Sequence, residues 1–359
     1  MPVRRGCRVS KPPIFIVGAP RSGTTLLRNM LNRHPTLAIC GETQFHRHVY
    51  SRRRAFGSLA NPKNRERLVH EYLSTDRVKR LGMDLSKLRE KLLREGDSYR
   101  AFFTCLMEHY AESQGKQRYG EKTPQHAVFT ETLCDWYPGA TIIHLLRDPR
   151  DVVASLQRMP WASDSVVTNA RVWVSQNVAA QLSSHRSGYL LVRYETLVNR
   201  PEEELARICA HLDEEYSPLM LVPQEESIVY SERSKRSQMV VTTERLGKWK
   251  GQLTEEEVAL IEWAAGEKLG AFEYQATVRP PSPLAIARGL AFAVFDAARR
   301  RINYFPAVLY RLLWPTKLAK EEFWVFRRIR EQERDATASD PMPSGSKQSS
   351  SATNRADNL

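Results

Sequence analysis

The chain has 359 residues, with 54 Lys and Arg against 41 Asp and Glu, for a formal net charge of +13. That length buries a full core, and one α/β domain with extensions is the simplest division. The basic surplus points to an anionic partner but is spread along the chain, so no specific nucleic-acid role follows, and five dispersed cysteines without a C-x-x-C pair exclude a disulfide framework.

The first residues carry Arg4, Arg5, Arg8 and Lys11 but no apolar segment, so no signal peptide is expected. No uncharged apolar run reaches the ~18 residues needed to cross a bilayer. With the thiols read as reduced, the expected location is cytoplasmic, with membrane contact at most peripheral.

Ile14–Val17 is a short β-branched run that reads as a buried parallel strand, and Leu26, Leu27, Met30 and Leu31 have helical spacing. Between them lies Gly18-Ala-Pro-Arg-Ser-Gly23. A strand, a glycine-bounded turn and a helix start make an anion cradle, because the free N–H groups and the helix dipole favour negative charge. The spacing is that of a nucleotide-binding P-loop, G-x-x-x-x-G-K-[ST], with Thr24 at the lysine position. Arg21, Ser22, Gly23, Thr24 and Thr25 then suit a smaller anion, a 5′-phosphate carrying one more group, and give no reason to expect a metal. The plain alternative is an ordinary Gly/Pro turn.

These residues resemble the sulfotransferases that use 3′-phosphoadenosine 5′-phosphosulfate (PAPS), whose 5′-phosphosulfate loop is similar to Pro20-Arg-Ser-Gly-Thr-Thr25. The likeness continues through Cys40-Gly-Glu-Thr43 in a form nearest the protein-tyrosine sulfotransferases. It implies a P-loop-type three-layer α/β fold with a central parallel sheet flanked by helices. PAPS would be the sulfuryl donor and a hydroxyl-bearing molecule of unknown class the acceptor. The animal enzymes are membrane-anchored, and no such anchor is read in this sequence.

Glu42 follows the first helix and can overhang the cradle, where a carboxylate can take a proton from an acceptor hydroxyl. The resemblance makes it the general base, but Gln44 stands where that family has arginine, which separates this chain from the peptide-sulfating pattern. His46, His48 and His126 remain alternative bases. His46 and His48 do not have metal-ligand spacing. Residues 61 to 117 read as helices that shape the acceptor pocket, with Leu81, Leu85, Leu88 and Leu92 at three- to four-residue spacing.

Tyr119-Gly-Glu-Lys-Thr-Pro124 reads as a loop before a helix from Gln125, and its pattern is similar to that of bacterial sulfotransferases. Lys122 there can hold the sulfuryl group and the leaving oxygen. Ala140–Leu146 is a second buried strand, ending in Arg147 with Ser155 eight residues on. Both can reach one phosphate, and the resemblance makes it the donor's 3′-phosphate. The alternative is a helix-capping pair between Arg147 and a nearby Asp.

After a helix over 166–185, Gly188–Arg193 reads as a third strand, with Tyr194 at its end resembling the tyrosine beside the adenine. By resemblance alone, Ser234 donates to the sulfuryl group and Lys248 contacts the nucleotide's 3′-phosphate end. Thr254-Glu-Glu-Glu257 is a capping box. The expected domains are a catalytic unit over 1–280, a basic helical extension over 281–334 and a disordered tail over 335–359. The extension mixes aromatic and basic residues. That suits helices packed back on the body with their charges solvated, or amphipathic helices on an anionic membrane surface.

The leading reading is a PAPS-dependent sulfotransferase acting on protein tyrosine or, alternatively, on a carbohydrate, lipid or small alcohol. A P-loop kinase needs a lysine at position 24. A non-catalytic basic membrane- or nucleic-acid-binding protein leaves both phosphate motifs unexplained.

Overall fold

A computed structural model describes residues 11–222 and 241–318. Ser234, residues 319–334 of the basic extension and the expected tail lie outside the described residues. Among the described residues, five strands form one parallel sheet in the order β2-β3-β1-β4-β5. They are β1 (Ile14–Gly18), β2 (Leu37–Cys40), β3 (Arg118–Lys122), β4 (Thr141–Leu146) and β5 (Tyr189–Arg193).

β1 is central because it is apolar on both faces. Phe15 and Val17 enter one core with Ala38 and Phe103, while Ile14 and Ile16 enter the opposite one with Leu27, Leu31 and Ile143. A strand covered on both sides has no polar face, so it reads as an unbroken apolar run. Helices cover both faces and complete the three-layer P-loop-type architecture.

Two strands depart from the sequence-based reading. β2 is only four residues long, too short to show a period. β3 occupies a stretch expected as a loop, yet all five of its residues are buried. Its charges survive burial through distant partners: Arg118 donates to the Leu212 carbonyl and lies 3.2 Å from Glu214. Helix formation is also delayed there, with a 3-10 segment over Pro124–Phe129 preceding Thr130–Trp136.

The helices that position the site are α1 (Thr24–Leu31), α2 (Tyr99–Ser113), α3 (Pro149–Leu156), α4 (Val166–Gln181), α5 (Glu255–Ala265) and α6 (Pro283–Leu313). The Asp148 side chain accepts from the Arg150 amide and caps α3. Thr254 and Glu257 form the expected capping box on α5. The helix ends at Gly266, with a separate short helix following over Glu267–Ala271. α6 packs on α4 and α5.

His144 ties β4 to its surroundings. Its Nε2 lies 2.9 Å from Asn177 Oδ1 and its Nδ1 2.7 Å from the Tyr189 hydroxyl. Because the Asn177 amide nitrogen donates to the Trp173 carbonyl, Oδ1 is the acceptor for His144, which fixes the Nε2–H tautomer. Burial pulls the His144 pKa from 6.5 down to about 4, the Asn177 bond opposing only in part. His46 and His48 are also held well below their ordinary value, by burial first. A lowered folded pKa means that the unfolded chain binds the proton more readily. The stability is therefore complete above about pH 6.5 and lost as pH falls toward about 4, worth about 3 kcal/mol for His144 alone. Thermal denaturation at graded pH should show Tm falling through that window, with a shallower fall and a lower neutral-pH Tm in His144→Gln. An unchanged slope in the variant would show that His144 is not the group responsible.

Candidate functional site

The sheet brings the site together by ending five strands on one edge. Gly18 of β1 pairs with Leu145, Ile16 with Lys122, Cys40 with Glu121, and Leu146 with Arg193. The loop after β1, Glu42 beyond β2, Lys122 closing β3, Arg147 after β4 and Tyr194 after β5 therefore share the carboxyl edge, where ligands bind in open α/β sheets.

The loop after β1 is shaped by unusual backbone angles. Arg21 and Gly23 have φ of 71° and 98°. A Cβ on Gly23 would sit 2.4 Å from the Tyr194 ring, so glycine permits the close contact between loop and tyrosine. The first bond of α1 runs from Leu27 N to Gly23 O at 3.2 Å, which leaves the amides of Thr24, Thr25 and Leu26 outside the helical ladder. The Ser22 hydroxyl is buried and has no hydrogen-bond partner among the described residues. An orphaned hydroxyl beside free helix-start amides fits a bound anion.

Lys122 connects this cradle to Glu42. Its Nζ lies 2.6 Å from Glu42 Oε1 and 3.2 Å from Thr25 Oγ1. Surrounding protein pushes the Glu42 pKa up, but Lys122, followed by Arg77, outweighs it and holds the carboxyl below 4.5. Glu42 is therefore a carboxylate at neutral pH, and 41% of its side chain remains open to solvent.

Arg147 is fixed from several directions. It lies 3.3 Å from Asp151, donates to the carbonyls of Arg21 (3.4 Å) and Arg245 (2.5 Å), and stands 4.3 Å over the Tyr194 ring. Asp151 also accepts from the amides of Gly247 (3.0 Å) and Trp249 (3.1 Å), so one carboxylate orients both the arginine and the following turn. That turn carries Lys248, whose side chain is exposed. Ser155 is tied to the first loop, accepting from Arg21 Nε at 3.0 Å. The loop after β1 and α3 thus meet through Arg21 and Ser155. Enclosure by protein, then the charges of Arg147 and Arg158, push the Arg21 pKa down. Such crowding favours a bound anion.

The carboxylate of Glu121 lies on the other side of β3. Its Oε1 accepts from Thr43 N (3.0 Å), Thr43 Oγ1 (2.8 Å) and the Thr123 hydroxyl. The Tyr72 hydroxyl adds a 3.3 Å bond to the Thr43 carbonyl. These bonds anchor the residue next to Glu42. Sequence analysis singles out neither this clamp nor Arg77, because both depend on distant pairing. His126 faces Glu121 at 3.0 Å, and His46 lies beside it with ring centroids 4.9 Å apart, both fully buried among aromatic rings. His48 is half-buried, with the charges of Arg77, Arg47, Arg52 and Arg311 lowering its pKa after burial.

Residues 12–218 match the model of the Sulfotransferase family. The chain is 28% identical to protein-tyrosine sulfotransferase A of Caenorhabditis elegans over 292 residues, covering 77% of this chain and 71% of that protein. It is 26% identical to nodulation protein NoeE of Sinorhizobium fredii over 288 residues, covering 71% of this chain and 64% of that protein. A second protein-tyrosine sulfotransferase, that of Gallus gallus numbered 2, is 28% identical over 259 residues, covering 67% of this chain and 64% of that one. In fold, the chain is similar to the sulfotransferase domain of the Synechococcus PCC 7002 olefin synthase, with a TM-score of 0.55 at 20% identity, covering 77% of this chain and 98% of that domain. With more than half of its length matched by the family model, and with the loop after β1, Lys122 and Arg147 gathered on one sheet edge, the chain belongs to the sulfotransferase family.

Proposed function

We propose that the protein transfers a sulfuryl group from PAPS to an acceptor hydroxyl. The observation that carries this reading is the placement of Lys122 between Glu42 and Thr25, which sets a carboxylate base and an anion cradle on either side of one cation. Ser22, Gly23, Thr24, Thr25 and Arg21 would hold the 5′-phosphosulfate. Arg147 and Ser155 would hold the 3′-phosphate, with Lys248 near that end and Tyr194 beside the adenine. Ser234 keeps the donor role that the family resemblance gives it. When bound, the donor supplies an electrophilic sulfur on a phosphate leaving group.

Glu42 accepts the acceptor's proton as its oxygen forms the new bond to sulfur. Lys122 meets the negative charge that gathers on the departing phosphate oxygen. Its ion pair with Glu42 keeps the base deprotonated beforehand, and a bound anion competes for the same ammonium, freeing the carboxylate to act. The protein's part is positioning and charge stabilisation, as in phosphoryl transfer. No metal is called for, since the Thr25 hydroxyl faces Lys122. A tyrosine side chain is the first acceptor to try, on the strength of the relatives' names, followed by sugars, lipids and small alcohols. The buried free thiols of Cys40, Cys105, Cys134 and Cys209 support a reducing, cytoplasmic setting.

With a labelled donor and a panel of such acceptors, Glu42→Gln should lower turnover by at least about a hundredfold. It should leave affinity for 3′-phosphoadenosine 5′-phosphate (PAP) unchanged. Near-normal turnover would remove Glu42 from the base role. The pH profile gives a second check. Because Lys122 holds Glu42 down in the free enzyme, the acid limb of kcat/KM should lie below 4.5. In Lys122→Met only Arg77 and Gln44 still oppose the enclosing protein, so the limb should move to higher pH, whatever the loss in rate. A limb that stays in place would contradict the pairing.

A further inference from the structure

α6 is 31 residues long, roughly 45 Å, and its two sides differ in a way that the catalytic site does not use. Ala285, Asp296 and Ala307, spaced eleven apart, are buried against the body. Leu284, Phe295, Ile302, Leu309 and Leu313 recur at helical spacing on another side and are exposed, Phe295 at 62% and Ile302 at 74%. Phe305 and Leu312 widen this stripe. Isolated exposed apolar residues are ordinary, but a continuous stripe along one helix marks an interaction surface. No described helix is long and apolar enough to cross a membrane.

We propose that α6 lies in the interface of an anionic lipid membrane, with this stripe turned into the acyl boundary. Three observations favour lipid as the occupant. The first is charge: Arg301 borders the stripe and is exposed, and the chain as a whole carries +13. The second is the aromatic end of the helix, where the Tyr310 and Trp314 rings lie 5.0 Å apart and Trp314 is 50% exposed. Amphipathic rings of this kind settle at the headgroup level. That end docks on a basic neighbourhood: Arg52 donates to the Pro315 carbonyl at 3.5 Å, and Arg53 and Arg54 next to it are exposed. The third concerns a second copy of the chain. Arg299 is paired with Asp164 and Asp296 and Arg300 donates to the Trp161 carbonyl, but Arg301 is exposed near the middle of the helix, so antiparallel two-fold pairing along the stripe would bring it near its own copy. A single helix with an exposed apolar stripe bordered by Arg301 suits a lipid plane instead.

Flotation of the full chain with vesicles of phosphatidylcholine alone, or mixed with phosphatidylserine, tests this directly. Binding should require the anionic lipid and weaken with added salt. The double variant Phe295→Ser/Ile302→Ser, at two exposed positions where Tm should not change, should lower vesicle affinity by about tenfold or more. Arg301→Glu should reduce the preference for the anionic lipid. Brominated lipid should quench part of the tryptophan fluorescence, and Trp314→Phe should remove that part. No binding to anionic vesicles would overturn the proposal, and so would binding that the double variant leaves intact. Sedimentation that shows a dimer dissolved by the same double variant would overturn it in favour of a second copy.

Discussion

Holding Arg21, Arg147 and Lys122 within reach of one another is the constraint around which the rest of the site is arranged. Enclosure by protein, and after it the like charges of Arg147 and Arg158, raise the energy of the charged Arg21 guanidinium, as its lowered pKa records. Each cation has an oxygen partner that fixes its direction: Ser155 for Arg21, Asp151 for Arg147 and Glu42 for Lys122. These partners do not cancel the positive field. The Asp151 carboxylate is shared with two backbone amides, and Glu42 remains half open. What is left is a surplus of directed donors beside the amides of α1, an arrangement preorganised for phosphate and sulfonate oxygens.

The parallel sheet makes this concentration feasible. All five strands run the same way, so each delivers its following residue to the same edge without a long loop. Two buried carboxylates then lock the delivered residues. Glu121 holds Thr43 next to Glu42, and Asp151 holds the Gly247–Trp249 turn over Arg147. The indole of Trp173 completes the support, donating to the Arg147 carbonyl at 2.8 Å. Rigidity at the base of the site is what allows long, flexible lysine and arginine side chains to keep one geometry.

Features carried by local pattern were legible from the residues alone. The loop from Gly18 to Thr25, the apolar run before Arg147, Tyr194 at a strand end and the capping box of α5 each depend on neighbours in the chain, so spacing exposes them. β3 was hidden because Arg-Tyr-Gly-Glu-Lys has the composition of a solvated loop. Its burial depends on Glu214, the Leu212 carbonyl, Thr43 and Glu42, all distant in sequence. Ser155 shows the same limit. Its spacing from Arg147 was readable, but its bond to Arg21 across the cleft was not. The long C-terminal helix was readable as aromatic and basic, while only the packing of Ala285, Asp296 and Ala307 shows which side is left outward.

Calorimetric titration of PAP, run beside ATP and with or without magnesium, tests the central claim most directly. The arrangement of Arg21, Arg147 and the α1 amides predicts metal-independent binding that prefers the 3′-phosphorylated nucleotide. Arg147→Ala should weaken it by at least about thirtyfold. Absence of binding would contradict the account, and ATP preferred in the presence of magnesium would make the cleft a nucleoside-triphosphate site instead.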